Sequence, residues 1–146
     1  LTAAFAGNTI SGDPVNNMGS GAGILVNATG GTFDLTLGGP EASGGNLISR
    51  VNGAGIAVQM TDTTSGAFVI QNNSIMDIFD DNDLNTAFNG DGILVDISGP
   101  GSTATLARSE ITGNSLGDQN STNAGLDGSG ILVSMNDSTS IHCSPT

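Results

Sequence analysis

The chain has no lysine, no tryptophan and no tyrosine, and only two arginines stand against 14 acidic residues, for a formal net charge of −12. A nucleic-acid interface needs a basic footprint with stacking aromatics, so two arginines and five phenylalanines exclude that class. Charged residues make up 11% of the chain, too few for the long Ala/Leu/Glu/Lys runs of a helical bundle. No apolar run approaches the ~18 residues of a spanning helix, so membrane insertion is not expected. The single cysteine, Cys143, cannot close an intrachain disulfide and leaves the redox compartment unreadable. What is present is Gly, Ser, Thr and Asn, together 69 of the 146 residues. The remainder is 36% hydrophobic, and its Ile, Leu and Val cluster, which excludes a solvated disordered tail. The length fits one domain, residues 1–146. A chain opening on Leu1 reads as processed or as a piece of something longer.

The clusters repeat. Four segments share a Gly-x-Gly-Ile-x-Val pattern, with second glycines at Gly23, Gly55, Gly92 and Gly130, spaced by 32, 37 and 38 residues. After each one the apolar positions alternate with others: Ile24/Val26/Ala28, Ile56/Val58/Met60, Ile93/Val95/Ile97 and Ile131/Val133/Met135. The position before the last is polar each time, as Asn27, Gln59, Asp96 and Ser134. Period two means strands with one face buried. A second strand follows each of these, as in Ala67–Ile70 and Ala104–Leu106. A shorter third carries a recurring Ile with a polar residue two positions before it: Asn8-Thr9-Ile10, Asn46-Leu47-Ile48, Asn73-Ser74-Ile75 and Ser109-Glu110-Ile111. Three strands per repeat, with like residues stacked, predict an all-β parallel β-helix of about four coils without a capping helix. At ~4.8 Å per coil the stack is roughly 20 Å tall, near the minimum that buries a continuous core. Asn8, Asn46 and Asn73 at a fixed bend predict an amide ladder, at a place where Asn tolerates a left-handed backbone.

On these Gly-Ile-x-Val strands and Asn-x-Ile turns the chain resembles the right-handed parallel β-helix repeat proteins of the pectin-lyase-like superfamily. Phe5-Ala6-Gly7-Asn8 and the run ending in Gly23-Ile24 are similar, more loosely, to the Phe-x-x-Asn and Gly-Gly-Ala-Ile repeats of autotransporter-type polymorphic outer-membrane proteins. The resemblance implies the right hand of the solenoid, which the general preference for right-handed crossovers also favours. It further implies that the loops of unequal length, residues 11–20, 49–52, 76–89 and 112–127, flank the side where that superfamily binds polysaccharide. A lyase of this type needs a basic group to take a proton, together with acidic residues holding calcium. Arg50 and Arg108 are the only cations for that role, and Asp96 is the only outward carboxylate on the first strand. A hydrolase needs two or three converging carboxylates, and the sequence brings none together. His142, on the terminal strand, has no evident carboxylate beside it. No catalytic set emerges.

Oxygen ligands at alternate positions suit a hard cation, and within the stretch from Asp77 to Asn85 they stand at Asp81, Asp83 and Asn85, with Asp80 beside them as a further candidate ligand. It lacks the glycine and distal Glu of an EF-hand. Ca²⁺ binding and a plain solvated acidic loop both remain open for it. The outward positions Leu25, Ala57, Leu94 and Leu132 form an apolar stripe that water should not face, so either the long loops or a partner must cover it. Sequons stand at Asn27, Asn72, Asn120 and Asn136 and matter only in a glycosylating host. Leu1–Phe5 aligns with the strand around Ala104–Leu106, and neither end of the stack has a charged edge or a cap. Such ends imply either excision from a longer solenoid or head-to-tail stacking of the chain on itself. The expectation is a non-catalytic extracellular or cell-surface module, structural or adhesive, with polysaccharide as a further candidate partner. A polysaccharide lyase or glycoside hydrolase is the alternative, and a glycan-binding module is third.

Overall fold

The computed structural model describes residues 1–12, 18–79, 89–117, 126, 128–135 and 140–143. Among these residues nine strands occur in this order: β1 (Thr2–Phe5), β2 (Thr9–Ser11), β3 (Met18–Leu37), β4 (Leu47–Gln71), β5 (Ser74–Phe79), β6 (Asp91–Thr112), β7 (Ser115–Leu116), β8 (Ile131–Met135) and β9 (Ser140–Cys143). They form a single sheet in which every pairing is parallel. The described residues hold one 3₁₀ turn, Ala42–Gly44, and no helix long and apolar enough to cross a membrane.

The length of the strands makes the sheet curl. β4 runs for 25 residues, which would span ~80 Å if straight. It turns instead where its register breaks between Thr61 and Thr63, at Asp62 with φ of 59°. Curling brings one face of the sheet around an apolar interior. Ile24, Ile56, Ile93 and Ile131 share one register column, and Val26, Val58, Val95 and Val133 another. A third column on the short strands joins Ile10, Ile48, Ile75 and Leu116. Ile48, Ile56, Val58, Met60, Ile75 and Ile93 are all fully buried, so the interior sits midway along the stack.

The second glycine of the repeated motif exists because that interior is crowded. A Cβ on Gly55 would run into Ile75 Cγ2 and lie 2.6 Å from the carbonyl oxygen of Gly92. The first glycine meets a different demand. Gly53 has φ of 136°, a conformation L side chains rarely adopt, and its Cβ would overlap the Gly21 carbonyl oxygen.

The amide ladder is present and extends one rung further than the sequence pattern suggested. Nδ2 of Asn8 donates to Asn46 Oδ1 (2.9 Å), Asn46 Nδ2 to Asn73 Oδ1 (2.8 Å), and Asn73 Nδ2 to Asn114 Oδ1 (2.9 Å). The backbone N–H of each donor residue reaches the same oxygen, at 3.1, 3.0 and 2.9 Å. Because a backbone N–H can only donate, this fixes which amide atom is the oxygen. The fourth rung is therefore Asn114-Ser115-Leu116, with Ser115 and Leu116 in register with Ser74 and Ile75. Ser109-Glu110-Ile111 instead pairs with Phe68-Val69-Ile70 on another side of the sheet. The second strand of that repeat is likewise Arg108–Ile111 rather than Ala104–Leu106, because β6 carries extra residues between Ser98 and Thr103 and one more between Leu106 and Arg108. Thr2–Phe5 falls in the same column, through Asp34–Leu37 and Ala67–Ile70. The left-handed backbone, too, is displaced by one position. It falls on Gly7, Asn72 and Gly113, each just before a ladder asparagine, with φ of 67°, 56° and 64°.

Candidate functional site

The outer face of the repeated strands carries a polar column, Asn27–Gln59–Asp96–Ser134, and beside it the column Leu25–Ala57–Leu94–Leu132. Strand alternation puts both outside the main interior. Asp96 is nonetheless only 6% exposed, and its Oδ1 is buried without a hydrogen-bond partner. Leaving a buried polar oxygen unpaired costs ~1–3 kcal/mol, more when it is charged, so keeping this carboxylate buried destabilises the fold.

A second buried carboxylate, Asp91, opens the same strand. Its Oδ1 accepts the Ser129 N–H at 2.7 Å and so fastens the chain entering β8, while its Oδ2 is buried and unpartnered. Asp91 and Asp96 lie five residues apart on β6, about 16 Å along an extended strand. A glycosidase pair sits within about 5–9.5 Å, so these two do not form one.

The candidate cations do not join them. Arg50 sits at a bend with φ of 57° and donates from a guanidinium nitrogen to Ser11 Oγ at 3.3 Å. Gln59, the register partner of Asp96, comes nine residues later along β4. Arg108 is in β6 opposite Ala67, and its side chain lies outside the described residues. The structure thus separates Arg50 from Asp96, and Asp96 stands without a described basic partner. Asp80, Asp81, Asp83 and Asn85 also lie outside the described residues. Among the described residues no group of three or more His, Cys, Asp or Glu converges.

The apolar column behaves differently along its length. Ala57 and Leu94 are fully buried and form a small second cluster with Ala54, against which Ala22 and Leu132 pack. Leu25, at the edge, is 49% exposed. The middle of the stripe is therefore closed within the chain itself. The Asn72 sequon is constrained as well, since its Nδ2, the atom a glycan would take, donates to the Gly39 carbonyl at 2.8 Å.

Sequence reasoning passed over two features. Asn114 was hidden because Leu116 replaces the isoleucine of the motif. An open cavity of about 400 Å³ at the β1–β2 end, lined by Phe5, Asn8, Ile10, Ile24 and Leu25 among others, had no local signal at all. Compared with known protein families, characterised proteins and solved structures, the chain matches none of them.

Proposed function

We propose that the curled parallel sheet is a right-handed β-helix of about four coils and that it serves as a non-catalytic structural or adhesive module outside the cell. The observation that carries this reading is the continuous amide ladder from Asn8 to Asn114, running alongside apolar columns in the same register. Such a stack resists bending, because shifting any coil breaks its pairing on both sides. It suits a rod that holds variable loops in place, and among the described residues no group of three or more His, Cys, Asp or Glu converges. The acidic, lysine-free composition suits a setting of cations and glycans. Ca²⁺ held by Asp80, Asp81, Asp83 and Asn85 belongs to the same reading, as a stiffener of the longest acidic loop.

The unpartnered Oδ1 of Asp96 favours a second reading, a polysaccharide lyase or hydrolase that uses this carboxylate, with a glycan-binding module as its inert counterpart. Incubation with a panel of acidic polysaccharides, followed by reducing-end and unsaturated-product assays, separates these readings. The structural reading expects no cleavage. Cleavage that is abolished by Asp96→Asn overturns it. Thermal melting with and without a calcium chelator tests the metal: a melting temperature unchanged by chelation removes Ca²⁺ from the account.

A further inference from the structure

The asparagine ladder has a direction, and its two ends complement each other. Each rung gives its backbone N–H and one Nδ2 proton to the Oδ1 of the rung that follows. Among the described residues, nothing donates to Asn8 Oδ1, and nothing accepts the N–H or the second Nδ2 proton of Asn114. The other Nδ2 proton shows the same asymmetry. Asn46, Asn73 and Asn114 send it to the carbonyls of Phe5, Leu37 and Ile70, at 3.0, 3.0 and 2.9 Å. Those three residues form one register column, and its next member is Ile111. Asn8 has no such carbonyl beside it and turns back to Ala6 O at 3.2 Å in its own chain.

We infer that copies of this chain stack head to tail through this ladder, with Asn114 of one copy donating to Asn8 Oδ1 of the next. Asn8 Nδ2 of the second copy then leaves Ala6 for the Ile111 carbonyl of the first. The inference rests on the β-helix reading above and adds the partner and the contact. A second copy is the occupant because it presents an asparagine oxygen and parallel strand edges in the same columns at the same ~4.8 Å pitch. The apolar surfaces match in the same register. Ile131 and Val133, 47% and 53% exposed at one end, belong to the columns of Ile24 and Val26 at the other. Leu116 ends the column that Ile10 begins, and Ile10 and Ile24 line the cavity at the β1–β2 end. Docking places Leu116 and Ile131 over that cavity. The two contacting faces differ and lie at opposite ends of the stack, so the contact repeats along the stacking direction and generates rods.

Thr9 and Ser115 share a column through Leu47 and Ser74, and both are exposed, so in the stacked pair they become cross-strand neighbours. In a Thr9→Cys, Ser115→Cys, Cys143→Ser variant of the whole chain, mild oxidation should yield covalent oligomers at multiples of 14.4 kDa. The two corresponding single-cysteine variants should stay uncrosslinked. Val133→Glu, at a position exposed in the single copy, should keep the strand circular dichroism and raise the concentration at which oligomers sediment by about tenfold or more. Cross-linking in a single-cysteine variant would mean a symmetric contact and overturn the inference. So would a double-cysteine variant that remains monomeric at every concentration with intact strand signal, while leaving the structural reading in place. Polysaccharide cleavage, or a parent protein without strand signal, would instead bring down the reading on which the inference rests.

Discussion

Two stretches of this molecule have the same local sequence and opposite surroundings. Gly92-Ile93-Leu94-Val95 lies in the middle of the stack, with its three apolar side chains at 0%, 1% and 1% exposure. Gly130-Ile131-Leu132-Val133 sits one strand further in the same columns, and there Ile131 and Val133 are about half exposed. Neither propensity nor hydropathy separates them. The difference is that Ile93 is flanked in register by Ile56 and Ile131, while Ile131 has a described neighbour on one side only. Burial in this fold runs along the stack, and each side chain is sealed by the rungs on either side of it.

That comparison can be broken by truncation. Ile93→Ala should cost ~2–5 kcal/mol, as for a fully buried isoleucine, and Ile131→Ala under ~1 kcal/mol, both measured by urea unfolding of dilute protein. Equal costs would mean that the β8 end is as closed as the middle. A smaller contrast is expected along the ladder. Asn46→Ala removes both the acceptor of Asn8 and the donors to Phe5 and Asn73, all partly or fully buried, and should cost ~2–3 kcal/mol. Asn8→Ala, at the exposed end, should cost ~1 kcal/mol or less. The finest contrast is steric. Gly55→Ala forces a methyl against Ile75 and should cost ~1–3 kcal/mol, whereas at Gly130 the nearest described atom to the added Cβ is Leu116 Cδ1 at 3.5 Å, and the change should stay within ~0.5 kcal/mol. A neutral Gly55→Ala, seen as an unchanged urea midpoint, would show that the glycine column is not set by crowding.

The strands were legible because period-two alternation is a local property. Ile56, Val58 and Met60 read as inward from their spacing, and they are. The ladder was legible for three rungs because Asn-x-Ile is a short pattern with a chemical reason. Its fourth rung was not, since a leucine fills the isoleucine column at Leu116 and the extra residues in β6 move the spacing. The candidate site was much less legible. The outward carboxylate at Asp96 could be picked out from alternation, but its burial and its unpartnered oxygen depend on what packs over it from elsewhere in the chain. The leucine stripe read as a single surface feature. The structure divides it into a closed middle at Ala57 and Leu94 and an exposed edge at Leu25, and no local pattern contains that division.

By itself the sequence determined the strand character and the inward and outward faces of the repeated strands. Each of these follows from side-chain size, charge and spacing within a few residues. The tertiary structure alone decided which asparagines share a ladder, which of two identical segments is core, and that Arg50 and Asp96 stand apart. These depend on register between strands some 27 to 41 residues apart in the chain, which only the closing of the sheet on itself establishes.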